Sequence, residues 1–492
     1  MKSKRTWLWC SLSVVLAAVL FGVYRKCTAE DYLRILPSRP KALVSIDLVR
    51  LSEESSMNAE ALKSFFPDEW NRTKTGICWT RKIYAFVSSK DAVGVLAAVE
   101  DADELEDFLQ EMSRKGRCRP VEKRQGYRWT VLNERWMMGF DDRALLVMGS
   151  GFGGDVDVFR QEILKCFRQE TEESGTSSSV YKDLSAKEAA FAFATRMDVL
   201  PASYSEAFLD GLPEHANLND INLIAAIHFT GKGVEIDAEA HSANSGINKY
   251  YEQLTHVGGK INGEFVDDVP ADALAWACVN LDGSALLEQL RAVPSLRTFL
   301  LGLNMNVDAD RMLGSIKGDV ALTVRASGGL SHSDYLVTAQ LTDKDFLKEA
   351  DYWKQSAEQS GQMTFRDMGN HHYYMSWQDL QAFFGVEGEN LYVTSAERMV
   401  PSAGMAKAGT LSEWKDDVTS GRFFVWVNLE QLRQQPEVSG LIFMLNGSSW
   451  KETVELFSSL TLYSSDARHL TLKFNTKDNK HALKELLEQW IR

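Results

Sequence analysis

The stretch Gly149-Ser150-Gly151-Phe152-Gly153-Gly154 fits the G-x-G-x-x-G spacing of a dinucleotide-binding turn. It follows a strand-like run, Ala144–Met148, and precedes a helical run, Asp155–Phe167, which is the context such a turn requires. The surrounding chemistry argues against it. Asp155 and Asp157 put negative charge where a pyrophosphate would meet the helix N-terminus. No strand ending in an acidic residue follows at the needed distance, and the matching place later in the chain, Thr394–Pro401, has no glycine. The segment reads as a strand-to-helix turn. Asn304, Asn306, Asp308 and Asp310 alternate as calcium-loop oxygens do, but the loop's glycine and closing glutamate are missing. His371 and His372 adjoin, and neighbours on a strand face opposite sides and rarely share a metal. Cys78, Cys118, Cys166 and Cys278 match no metal spacing. Cys278 sits in an apolar strand as a buried thiol, while Cys78 and Cys118 are a candidate disulfide in an oxidising compartment. There is no G-x-S-x-G, H-E-x-x-H or paired C-x-x-C, and acidic pairs such as Asp267-Asp268 do not stand out in so acidic a chain. The expectation is no catalytic residue, no metal and no cofactor.

Aromatic residues are the better lead. Trp129 and Trp136, and later Tyr373, Tyr374, Trp377, Phe383 and Phe384, cluster around two similar hairpins. The plainer reading is core and sheet-face packing. The sharper one is an apolar groove between sheet and helix, open to a lipid, a peptide or a partner strand.

The elements that would position these residues recur. Val93–Val99 reads as a strand and stops at Glu100-Asp101-Ala102-Asp103. Leu105, Phe108, Leu109 and Met112 then share one helical face, with Asp101 and Glu104 placed as a capping box. The same order returns at Val234–Ala240, Leu336–Leu341 and Leu470–Phe474, each with a helix-spaced run after it. Short polar turns (88–91, 230–233, 327–333 and 464–467) join each strand to the one before. The hairpin Trp136–Val147 recurs at Ala382–Val393, with Gly139 matching Gly385. This implies an α+β fold of two tandem pseudo-repeated halves, 36–255 and 260–492, joined by a linker at 256–260. Each half would hold mostly antiparallel sheets with helices packed on one face.

At 492 residues the chain can bury several cores. Net charge is −14, and without the leader cations Lys2, Lys4, Arg5, Arg25 and Lys26 the rest holds 49 basic against 68 acidic residues. Such a body argues against nucleic-acid phosphates as a partner. Residues 1–29 read as a targeting segment: an uncharged run from Trp7 to Tyr24 between cations, long enough as a helix for a thin bilayer. The preferred expectation is an uncleaved signal anchor, an N-terminal transmembrane helix holding an exported, periplasmic body at the inner membrane. The alternative is secretion after cleavage behind Ala29.

The opening Leu36-Pro37 followed by Ala42-Leu43-Val44-Ser45-Ile46-Asp47-Leu48 resembles the domain-of-unknown-function family 4836. The strand recurs at Ala277-Cys278-Val279-Asn280-Leu281 and Val425-Trp426-Val427-Asn428-Leu429. The resemblance implies a cell-envelope protein of a Gram-negative bacterium and carries no catalytic residues with it. The functional expectation is a non-enzymatic binding or scaffolding module for envelope proteins, peptides or lipids. The alternative is an envelope hydrolase with an unrecognised active site.

Overall fold

The computed structural model describes residues 30–55, 74–150, 156–200, 216–292, 296–298, 300–301, 308–360, 363–377, 380–401, 410–444, 449–477, 481–482 and 484–486. Two compact units emerge, one reaching to Val199 and including Asn222–His228, the other comprising Leu200–Ile221 and Phe229–Arg492.

The first unit holds β1 (Ala42–Ile46), β2 (Ile83–Val87), β3 (Val93–Ala98), β4 (Glu122–Arg124), β5 (Tyr127–Leu132), β6 (Trp136–Phe140), β7 (Ala144–Gly149), β8 (Phe191–Arg196) and most of β9 (Ile221–Thr230). They pair antiparallel in the order β4-β5-β6-β7-β3-β2-β1-β8-β9. The second unit adds β10 (Gly233–Ser242), β11 (Ala273–Asp282), β12 (Ile316–Arg325), β13 (Asp334–Leu341), β14 (Met363–Gly369), β15 (His372–Trp377), β16 (Leu380–Glu387), β17 (Asn390–Thr394), β18 (Phe423–Asn428), β19 (Phe457–Ser464) and β20 (His469–Thr476). Their antiparallel order is β14-β15-β16-β17-β13-β12-β11-β18-β19-β20-β10. Raising each strand number of the first order by ten gives the second order as far as β19.

Local chemistry explains why the elements recur. Asp101 accepts hydrogen bonds from the Asp103 and Glu104 N–H groups at 2.9 and 3.0 Å and starts the helix Ala102–Arg114. Leu105, Phe108 and Leu109 are buried on its inner face, each contributing on the order of 1.5–3 kcal/mol by leaving water. The recurring strand ends on a side chain that caps the helix after it. Asp47 accepts from Arg50 N–H at 3.0 Å, Asp282 from Ser284 and Ala285 N–H at 3.1 Å, and Asn428 from Gln431 N–H at 3.0 Å. At the 88–91 turn, Ser88 Oγ accepts from the Lys90 and Ala92 N–H groups, and Asp91 takes a positive φ of 63°.

The expected fold class needs correction on three points. The ladders join all twenty strands into a single antiparallel sheet, not separate sheets in two halves. The decisive strands are β10 and β20, which pair from Gly233↔Asn475 to Glu239↔His469. Left as sheet edges, both would expose a row of unpaired backbone groups. Next, helices cover both faces, not one. In β6 and β7, Met137 and Leu146 pack into the core under the helix Val156–Arg168, while Met138 and Leu145 pack under Ala102–Arg114. Strands apolar at successive positions are buried on both sides, which is what Trp-Met-Met-Gly-Phe and Ala-Leu-Leu-Val-Met encode. Finally, no helix among the described residues is long and apolar enough to cross a membrane, so the N-terminal transmembrane helix finds no support. Residues 1–29 themselves lie outside the described residues.

The 258–264 segment is pinned within the second unit. Gly259 N–H reaches Asn280 O at 3.2 Å and Ile261 N–H reaches Gly421 O at 2.9 Å. Asp319, fully buried, accepts from the N–H groups of Asn262, Gly263 and Glu264 at 2.8, 2.8 and 3.1 Å and from the Asn280 amide at 2.9 Å.

Candidate functional site

Opposed residues of an antiparallel pair lie on one face of the sheet, so the register defines rows of side chains. In the first unit one row crosses β6, β7, β3, β2, β1, β8 and β9 as Met138, Val147, Val95, Ala85, Val44, Phe193 and Ala225. In the second unit the matching row crosses β16, β17, β13, β12, β11, β18, β19, β20 and β10. It reads Phe384, Val393, Val337, Leu322, Ala277, Val425, Leu462, Leu472 and Ile236. Neither row contains a polar side chain.

In each unit a helix covers one end of this face. Ala102–Arg114 sits over Ala97, Met138, Phe140 and Leu145. In the second unit Phe346, Leu347 and Trp353 pack over Phe384, Val386 and Tyr373. The remainder is partly open. Val93, Val95 and Phe193 are 36%, 38% and 38% exposed in the first unit, and Leu322 and Tyr335 are 39% and 42% exposed in the second. The opposite face is closed by contrast: Leu43, Leu96 and Leu146 are fully buried in the first core, as is Phe424 in the second. A contiguous apolar surface left accessible is a binding surface more often than an accident of packing.

The seven aromatic candidates divide among these places. Trp129 is buried in the closed core, its indole N–H donating to Arg124 O at 3.1 Å. Trp136 starts β6 and lies over Gly149, where a Cβ would come within 2.5 Å of its ring. Tyr373 and Phe384 stack at 5.3 Å at the covered end of the open face. Tyr374 and Phe383 pair at 5.0 Å on the other face, where the Arg366 guanidinium lies 5.7 Å from the Tyr374 ring. Trp377 ends β15. Trp129 and Trp136 thus belong to the first unit and the other five to the second. The open positions themselves, Val95, Phe193 and Leu322, are aliphatic or single aromatics. Their signal in the sequence was the missing polar alternation in Val93-Gly94-Val95-Leu96-Ala97.

The remaining motifs resolve as structure. Gly151 to Gly154 lie outside the described residues. Asp308 caps a short helix by accepting from Arg311 N–H at 3.0 Å, while 302–307 lie outside the described residues. His371 occupies a turn with φ 64°, and His372 Nδ1 lies 2.5 Å from Tyr392 Oη. Burial, with Glu387 adding to it, pushes the Tyr392 hydroxyl up to about 12. Cys78 and Cys118 are free thiols, Cys118 Sγ donating to Leu109 O at 3.3 Å. Burial drives the Cys166 thiol up to about 12 and also raises the Cys278 thiol, the Asp319 carboxylate adding to the latter. Among the described residues no group of His, Cys, Asp and Glu is placed to hold a metal.

No curated protein matches the chain. Two solved structures show likeness. Crystal form IV of TP0453 is 9% identical over 42% of this chain and 79% of that one, with a TM-score of 0.25. Crystal form III of TP0453 is 10% identical over 74% and 92%, with a TM-score of 0.20. Similarity that slight carries no argument about either fold or function. The model of one family, described as a domain of unknown function (DUF4836), matches residues 49–481. Spanning nearly the whole sequence, that match places the protein in the DUF4836 family.

Proposed function

We propose that this protein is a non-enzymatic binding module of the cell envelope, and that it holds lipid acyl chains against the open apolar face in each unit. The observation that carries the reading is the unbroken apolar row. Val95, Ala85, Val44 and Phe193 line up across β3, β2, β1 and β8 with no polar residue between them. Val95 and Phe193 remain more than a third exposed. Acyl chains suit such a face because they need area and no hydrogen-bond partner. A peptide strand would pair along a sheet edge, and the edge strands β4 and β14 contribute no residue to the apolar rows. The cationic, then apolar, opening of the sequence supports an exported protein. The test is titration of the full chain with a fluorescent fatty acid. Saturable binding, weakened about tenfold or more by Val95→Asp or Leu322→Asp, is expected. Binding unaffected by both substitutions would overturn the reading.

A further inference from the structure

We propose that the second unit also carries a saccharide-binding cleft, formed where segment 413–417 overhangs the β10–β20 pair and independent of the acyl-chain face. A cleft of about 430 Å³ lies there, its walls and floor including Glu235, Glu413, Trp414, Asp417, Lys473 and Asn475. That volume falls within the ordinary range of small-ligand sites.

The chemistry of the lining narrows the ligand. Glu235 and Lys473 are opposed in the β10–β20 register, yet the Lys473 ammonium stands 3.6 Å from Glu235 and 3.9 Å from Asp417. Both are ion-pair distances longer than a direct hydrogen bond, so the ammonium protons and carboxylate lone pairs can also serve a ligand hydroxyl beside them. A hydroxyl accepts from an ammonium and donates to a carboxylate at once, so a polyol can bridge such a pair. The indole of Trp414 is half-buried, packed against the core of the second unit, and supplies a fixed flat wall for the C–H face of a sugar ring. Asn475, its amide N–H donating to Ser459 Oγ at 3.2 Å, also lines the cleft.

Charge excludes the simpler alternatives. Three carboxylates, those of Glu235, Glu413 and Asp417, would repel a phosphate or an acid. The Lys473 ammonium, 5.0 Å from the Tyr463 ring centre, and Lys232, also in the lining, counter the attraction of the carboxylates for a ligand cation. Burial works to lower the Lys473 pKa, but Tyr463 and the Glu235 and Asp417 carboxylates outweigh it and hold the ammonium charged. The complement to this lining is a neutral polyhydroxylated ring.

The experiment is saturation-transfer NMR and calorimetry on the full chain with three neutral disaccharides: maltose, cellobiose and diacetylchitobiose. Ethanolamine and inorganic phosphate serve as the cationic and anionic comparisons. At least one disaccharide should bind saturably, and Trp414→Ala should weaken it about tenfold. Glu413→Gln and Asp417→Asn change exposed or part-exposed carboxylates. They should weaken the same disaccharide severalfold while leaving the melting curve in place, and they decide the matter if Trp414→Ala misfolds. The proposal is overturned if no disaccharide binds at about 10 mM, if binding is unaltered in those carboxylate variants, or if ethanolamine or phosphate competes for the cleft.

Discussion

Replacing Asp319 by alanine tests how the second unit is held together. The carboxylate is fully buried and takes four hydrogen bonds, from the Asn262, Gly263 and Glu264 N–H groups and the Asn280 amide. A hydrogen bond to a charged acceptor contributes about 1.5–3 kcal/mol, and a buried donor left without a partner costs a similar amount. Gly263 N–H is buried and loses the full value. Asn262 and Glu264 are exposed residues whose N–H groups can turn to water, so they lose less. The sum is a destabilisation of about 4 kcal/mol, or roughly 10 °C in melting temperature for a unit of this size. Urea unfolding measures the first quantity. Hydrogen exchange at the amides of 262–264 measures the local effect, which should rise well ahead of global unfolding. Asp319→Asn keeps the shape and one acceptor oxygen and should lose about half as much. A loss below about 1 kcal/mol, with exchange at 262–264 unchanged, would refute the reasoning.

Three further outcomes follow from the geometry. Gly139→Ala puts a Cβ 2.8 Å from the Trp129 ring and 2.9 Å from Ile163 Cγ2, and urea melts should show a loss of about 1–3 kcal/mol from overpacking. Asp101→Ala removes the acceptor for two N–H groups at the start of Ala102–Arg114 and should lower stability by about 1 kcal/mol in the same assay. Cys166, raised by burial from 9.0 to about 12, stays protonated in the fold where the unfolded chain ionises. Its contribution is therefore whole below pH ~9 and declines by about 1.4 kcal/mol per pH unit on the way to pH ~12. Cys166→Ala should flatten that decline, and a wild-type stability curve that is level across the interval would contradict it.

Much of the local structure was legible from residue types alone. Asp101 with Leu105, Phe108 and Leu109 announces a capped amphipathic helix, and that helix forms with those three side chains buried. The repeated strand ends at Asp47 and Asn428 are helix caps, so a short motif recurs because one turn chemistry recurs. What failed were matters of partnership. No local pattern states that Glu239 will sit opposite His469, because the choice of partner for a sheet edge is settled by the rest of the fold. Asp319 lies between Gly318 and Val320 and resembles a surface aspartate, and only its convergence with 262–264 marks it out. The aromatic clusters drew attention because they are large, yet Trp129 belongs to a closed core. The open face is built from smaller residues whose significance lies in the register that aligns them.

Photocrosslinking tests the central claim most directly. The full chain, incubated with a diazirine-bearing fatty acid, irradiated and mapped by mass spectrometry, should carry adducts on β3 and β8 around Val95 and Phe193 and on β12 around Leu322, the exposed members of the apolar rows. Adducts confined to the helices of the opposite face, or no adducts at probe concentrations that label a known acyl-chain carrier, would contradict the account.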